Sequence, residues 1–382
     1  MPAIPAGDRE DCVATTDAAV PSTPQSIEPF HIEQHGIDFI PENERWAKPY
    51  DLFGLWAGAS LQVEYFIYGA ILMTFGFTFA QAVSIIVIGN ISYFLLGICS
   101  LQGPDAGTTV FGINRAAYGP NGSRAIATLN WLTMVGFEIE GLILIVGAAL
   151  VLTMKAGFGV GDPAKAVYIL LVVAIQFVLP FLGHATMVKV LRGLIFAIVQ
   201  LFAINSLDLY SSGVTLQAIG LRVKRYQAVA IDSVLCLGVT YWAVFDSTFT
   251  HFLTDFVDLV IIWIAPWMAI YLVDWALRRF RYVAAELQRT GRDGLYRRRG
   301  GVYWPAIVAQ VLGMMAAMSA LFTSFSVPDW AHPVTVHTGG ADFSIFLGVA
   351  VAGLVYFLLG KKGVRSQADA QDRLLANGAP PG

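Results

Sequence analysis

The sequence predicts an all-α, polytopic membrane protein, and three observations carry that prediction. Of its 382 residues, 56% are hydrophobic. Only 13% are charged, about half the ~25% of a typical soluble chain. The apolar residues gather into nine stretches, at 51–77, 78–101, 126–154, 165–183, 193–218, 228–246, 252–277, 302–325 and 341–360. Each is near the ~20 residues that a membrane-spanning helix requires.

The same composition excludes other classes. The net charge is −3 and the basic residues lie in short clusters between apolar runs, so no continuous basic stripe offers itself to nucleic acid. Cys12, Cys99 and Cys236 are far apart and in no metal-ligand spacing, which predicts reduced thiols. Metalloprotease, nucleophile-elbow, phosphate-loop and zinc patterns are all missing, so no enzyme is expected and no cofactor. Residues 1–40 have no apolar core between a basic flank and a cleavage site, so no signal peptide is expected. Residues 1–45 read as a disordered cytoplasmic N-terminal tail, 46–362 as the membrane domain and 363–382 as a cytoplasmic C-terminal tail.

The first apolar stretch carries Gln62 and Glu64 near its middle. A carboxylate near the bilayer centre costs about 2.5–3.5 kcal/mol on insertion scales, so it faces protein, a cavity or a partner rather than lipid. Gly54 and Gly58, followed by Ala59 and Ser60, allow close helix approach or a partly opened backbone. Trp56, Ser60 and Glu64 share one helix face, which makes this stretch one wall of a candidate site. Ionised, Glu64 could accept N–H bonds or bind a cation; protonated, it could carry a proton.

The third stretch holds Asn130, Met134 and Glu138 at i, i+4 and i+8, while Glu140 points about 200° away from Glu138. The segments Val167–Gly183 and Phe343–Gly360 are nearly free of charge and read as plain packing or lipid-facing helices. Asp274 and Arg278, one turn apart, are expected to pair at the membrane edge.

Orientation follows from Lys and Arg in the short loops. Arg115 and Arg124, Lys189 and Arg192, the 222–225 cluster, the 278–299 run and Lys361 to Arg365 all favour the cytoplasmic side. With the N-terminus inside, every stretch fits except Gly193–Leu221, which has basic clusters at both ends. Its 29 residues are too few for two crossings of about 20 each. Either it is re-entrant, or a later loop breaks the charge tendency, or it is a fused remnant of more than one helix.

Several segments together, IEQHGIDFIPENER, WAGASLQVEYF, PDAGTTVFGINRAAYGPNGSR, GHATMVKVLRG, NSLDLYSSGVTLQAIGLRVKR and RRFRYVAAELQRTGRDGLYRRRGGVYWPA, resemble the purine/cytosine permease branch of the nucleobase:cation symporter family. That resemblance implies two inverted five-helix repeats (the LeuT-type fold) plus two helices, of which this chain would keep about 9–10 of the usual 12. GHATMVKVLRGLIFAIV resembles the start of helix five and NSLDLYSSGVTLQAIGL resembles helix eight, so helices six and seven are expected to be missing, with a junction near Gln200 to Ile204. The implied function is import of a nucleobase, such as cytosine or a purine, across the cell membrane with a proton or sodium ion. The alternative is an inactive permease remnant, or a membrane ligand-binding or scaffold protein. By the resemblance, Gln62 is an amide contact to the base, Glu138 a polar contact with Phe137 beside it, and one of Asn205 and Asp208 the contact from helix eight. Ser60 and Glu64 complete the candidate set. The partners implied are a small-molecule nucleobase and the lipid bilayer.

Overall fold

A computed structural model describes residues 36–42, 45, 48–60, 63–181, 200–221, 223–246, 249–322 and 328–376. Within them all regular structure is helical: α1 (Pro49–Ser60), α2 (Val63–Thr74), α3 (Phe79–Ile91), α4 (Tyr93–Ser100), α5 (Gln102–Ala106), α6 (Val110–Lys155), α7 (Asp162–Phe181), α8 (Gln200–Ile219), α9 (Arg225–Asp246), α10 (Phe249–Leu277), α11 (Ala284–Gln288), α12 (Trp304–Ser319), α13 (Pro333–His337) and α14 (Ser344–Ala376). Among the described residues, five helical stretches are long and apolar enough to cross a membrane, at Phe79–Ala106, Val110–Lys155, Tyr226–Phe245, Phe256–Leu277 and Ser344–Ala376. The chain is a multi-pass membrane protein. Of the other four expected stretches, the first is two helices of 12 residues each, 302–325 holds α12 of 16 residues, and 165–183 and 193–218 both run into 182–199, outside the described residues.

One expected loop is helical. The stretch from Gln102 to Arg124, which reads as a loop because it carries Arg115 and Arg124 between two apolar stretches, forms α5 and the first part of α6. Its Gly119 and Pro120 mark a kink rather than an end. Gly119 sits at φ 78°, ψ 161° inside α6, a backbone conformation open to glycine. Pro120 then starts the next run of helix, where its missing N–H costs nothing. The kink is held by its neighbours: Tyr303 N–H donates to Tyr118 O at 2.8 Å, and Asn121 Nδ2 donates to Gly300 O at 2.9 Å. A Cβ on Gly119 would come 2.6 Å from Gly301 O.

The helices pack as two groups joined by α6. In the first, α6, α7, α8 and α9 enclose a core that includes Ile139, Leu142, Val146, Ile169, Val172 and Cys236. In the second, α10, α12 and α14 pack on each other and on the kinked end of α6 through Tyr118, Ile126, Trp263, Ile270, Ala309, Ala352 and Tyr356. Small residues bring this second group close: a Cβ on Gly313 would lie 2.7 Å from that of Ala352 and 2.8 Å from that of Pro266. Stretches α3 and α4 turn almost entirely outward, with 11% of their apolar window buried against 50% for α6.

At one end of the second group the polar groups form a clamp. Arg278, fully buried, donates from Nε to Asp274 Oδ2 at 2.7 Å and from Nη2 to Ala116 O at 2.9 Å and Gln367 Oε1 at 3.0 Å. The expected Asp274–Arg278 pair therefore forms, and inside the protein rather than at its edge. Tyr356 Oη donates to Asp274 Oδ1 at 2.7 Å. Tyr296 accepts from Val283 N–H at 3.0 Å and donates to Gln371 Oε1 at 2.9 Å; burial pushes its phenol up to about 12, which keeps the hydroxyl available as a donor. Arg279 pairs with Asp369 at 2.8 Å and with Asp372. Residues 363–376, expected as part of the C-terminal tail, thus continue α14 and pack through Gln367, Ala368 and Gln371.

The other expected tail also has an ordered end. Ile40 N–H donates to Gly107 O at 2.8 Å and Arg45 Nη1 to Pro104 O at 2.8 Å, while Ile37 O accepts from Thr108 Oγ1 at 3.1 Å and Gln288 Nε2 at 3.2 Å. Within the expected disordered 1–45, residues 36–42 and Arg45 are therefore docked, with partners on the α5–α6 turn and on Gln288 of α11.

Candidate functional site

Glu138 lies on α6 with its side chain inside the first helix group, 1% exposed. Gln176 of α7 donates from Nε2 to Glu138 Oε1 at 3.0 Å. Asn205 of α8 donates from Nδ2 to Glu138 O at 3.1 Å and to Gln176 Oε1 at 3.1 Å. The Cys236 thiol of α9 lies against the carboxyl. Four helices thus meet at one carboxylate. Asn205 reaches it because position 141 is glycine: a Cβ there would overlap the Asn205 amide.

Two of the expected residues, Glu138 and Asn205, are therefore brought together. Asp208 stands three residues further along α8, partly buried and close enough to Glu138 to act on its charge. Phe137 turns to the other helix group and meets Phe256 edge to face, with centroids 4.8 Å apart and planes at 88°. Glu140, nearly opposite Glu138 on α6, is also buried, and its carboxyl accepts the Tyr68 hydroxyl of α2. Gln62 lies outside the described residues, and Ser60 and Glu64 belong to α1 and α2 with their side chains outside the description.

Two buried polar residues, Gln176 and Asp232, are not among those expected. The Val167–Gly183 segment reads as packing or lipid-facing, and Val167, Leu170, Leu171 and Ile175 do face outward. Gln176 is the correction: it is 2% exposed on the inner face, and an uncharged amide gives no alarm in sequence. Asp232, fully buried on α9, accepts from Trp131 Nε1 at 2.9 Å and from the Ser212 hydroxyl. Its signal is present in the sequence, an acid inside an apolar stretch. Next to it Asn130 Nδ2 donates to Thr215 Oγ1 at 3.2 Å.

Chemically, the first cluster offers a carboxylate and two amides, donors and acceptors in a dry apolar surround, where such groups bind strongly if matched and cost stability if not. Among the described residues the cationic side chains of these four helices stand outside the apolar middle, Lys155 and Lys165 near helix ends and Arg124 near the Gly119–Pro120 kink. No cationic side chain among the described residues acts on Glu138 or Asp232.

Comparison with known proteins gives three findings. The family profile described as permease for cytosine/purines, uracil, thiamine, allantoin matches residues 39–185 and 170–348. The Bacillus subtilis (strain 168) protein "Putative purine-cytosine permease YxlA" is 27% identical over 180 residues, 45% of this chain and 37% of that one; the match thus spans well under half of that relative. The structure of Mhp1, a nucleobase-cation-symport-1 family transporter in a closed conformation with bromovinylhydantoin bound, superposes with a TM-score of 0.55 at 14% identity, covering 90% of this chain and 96% of that one. The all-helical fold, of the inverted-repeat LeuT type, is that of this transporter.

Proposed function

Because the chain belongs to the family of permeases for cytosine/purines, uracil, thiamine and allantoin, we propose that it imports a nucleobase such as cytosine or a purine across the cell membrane. The N-terminus lies in the cytoplasm, and a proton or sodium ion accompanies the base. The single observation that supports this most is the Glu138–Gln176–Asn205 cluster, where three helices aim amide and carboxyl groups at one another inside an apolar block. A flat heterocycle with donors and acceptors on its edge can exchange its own hydrogen bonds for these. The hydantoin bound by Mhp1 is a ring of comparable chemistry.

The α1–α2 arm would close the site. It is tied to the block by the Tyr68–Glu140 hydrogen bond and by packing of α1 on α8, so its motion against a rigid block gives alternating access. The family's helices six and seven would belong at the junction near Gln200 to Ile204, a short way past the place where the two family matches meet.

Binding of labelled cytosine to the purified full chain, with adenine, hypoxanthine and uracil as competitors, tests the site. Glu138→Gln and Asn205→Ala should each weaken binding by about 10–100-fold, in line with the ~1–3 kcal/mol that a buried hydrogen bond to a charged or otherwise unsatisfied group is worth. Unchanged affinity in both variants, with wild type binding saturably, would move the base elsewhere.

A further inference from the structure

We propose that Asp232, seated between Trp131 and Ser212, is a proton-binding site of the four-helix block, separate from the Glu138 cluster. The inference rests on the permease reading for its role in transport, and on geometry for its chemistry. Asp232 is fully buried, and each carboxyl oxygen has its own partner. The two partners differ in kind. The Trp131 indole N–H can only donate, so it fixes Oδ1 as an acceptor in every state. The Ser212 hydroxyl can donate or accept. It donates to Oδ2 of the carboxylate; when Oδ2 carries a proton, the acid donates to Ser212 Oγ instead. The serine hydrogen then turns to the carbonyl one turn back in its own helix, a bond that helical serines commonly make. The site is thus satisfied with or without the proton, and no partner has to move more than one hydroxyl hydrogen.

The surroundings select a cation. Among the titratable groups of the block, Asp232 interacts with Glu138 of α6 and with Cys236 on its own helix, Asp208 of α8 acts on Glu138, and α7 contributes the neutral Gln176. None brings positive charge. A second observation points the same way: Glu138 Oε2, also buried, has no hydrogen-bond partner among the described residues, and the Cys236 thiol beside this carboxyl is a weak donor. Cys236 stands one turn from Asp232 and close to Glu138, so charge placed on one acid is felt at the other. Two carboxylates in low-dielectric surroundings, with no cation beside them among the described residues, are costly, and a proton on Asp232 removes one of the charges. Occupancy of the base beside Glu138 and of the proton at Asp232 are then linked.

The test uses the full chain in lipid nanodiscs and in proteoliposomes. Infrared difference spectra between acidic and alkaline buffer report buried carboxylic acids through their C=O stretch and need no transport. A titrating acid band is expected in wild type; Asp232→Asn should delete one component of it. Ser212→Ala, which keeps the acid and removes the two-way hydroxyl, should shift that component, and decides the matter if Asp232→Asn does not fold. Titrating bands unchanged in either variant would overturn the proposal. In sodium-free proteoliposomes, an inward proton gradient should raise wild-type accumulation of the base up to about tenfold per pH unit for one coupled proton, and Asp232→Asn should abolish that dependence. Gradient-driven accumulation by Asp232→Asn equal to wild type would also overturn it. Absence of any transport by wild type counts against the permease reading instead, and the infrared result still decides the proton site.

Discussion

Arg278→Ala is expected to lower stability by about 3–5 kcal/mol, the cost of breaking a buried ion pair on one side. Arg278 is fully buried and donates to three acceptors, on α10 itself, on α6 and on α14. Removing it leaves Asp274, also fully buried, with Tyr356 as its hydrogen-bond donor. It also cuts the tie that joins the two helix groups at this end. Thermal unfolding of the detergent-solubilised protein should show a large drop in midpoint, and the 363–376 part of α14 should become sensitive to protease. Arg278→Lys should recover little, because one ammonium cannot span the same fork of acceptors. The paired change of Arg278→Met with Asp274→Leu should recover more than Arg278→Lys, since no charge is then stranded. A midpoint unchanged by Arg278→Ala would mean that the clamp contributes nothing to stability.

Gly141→Ala is the second large effect. Its Cβ overlaps Asn205 Oδ1, and Asn205 is held on its other side by Glu138 O and Gln176 Oε1. The amide has to leave, which combines overpacking with the breaking of buried hydrogen bonds, about 2–4 kcal/mol together. Both the melting midpoint and the affinity for the base should fall. Adding Asn205→Ala to Gly141→Ala should restore the midpoint in part but not the affinity, because the clash is relieved while the amide is still missing. Wild-type melting and binding in Gly141→Ala would show that Asn205 does not hold the cluster.

How far the sequence can be read depends on charge. Glu138 stands out because an acid in an apolar stretch needs a reason, and the structure supplies one in Gln176 and Asn205. Gln176 does not stand out, because burying an amide leaves no mark in hydropathy until its partners are known. Asp232 carries the same mark as Glu138 and lacks only a partner visible in sequence; Trp131 and Ser212 lie 101 and 20 residues away. The roughly 200° between Glu138 and Glu140 implies that one cavity can take only one of them. That geometry holds, but α6 is surrounded, so both faces are interior: Glu138 meets α7, α8 and α9, and Glu140 meets α2. The Gln102 to Arg124 stretch reads as a loop because it lies between two apolar stretches and carries Arg115 and Arg124, and Gly119 and Pro120 do not end the helix there. They form a kink instead, since Tyr118 O and Asn121 find partners on the segment before α12. The charge conflict at Gly193–Leu221 is legible without any structure; α8 forms the part of it from Gln200 to Ile219, and 193–199 lie outside the described residues.

Uptake of labelled cytosine by cells that lack their own carriers, with the chain shown to be in the membrane, tests the central claim most directly. Saturable uptake that unlabelled purines compete with, and that Glu138→Gln abolishes, is the result expected of a working nucleobase permease built on the α6–α9 block. No uptake of cytosine, adenine, hypoxanthine or uracil, with the protein correctly inserted, would contradict it and leave a family member that does not transport these bases.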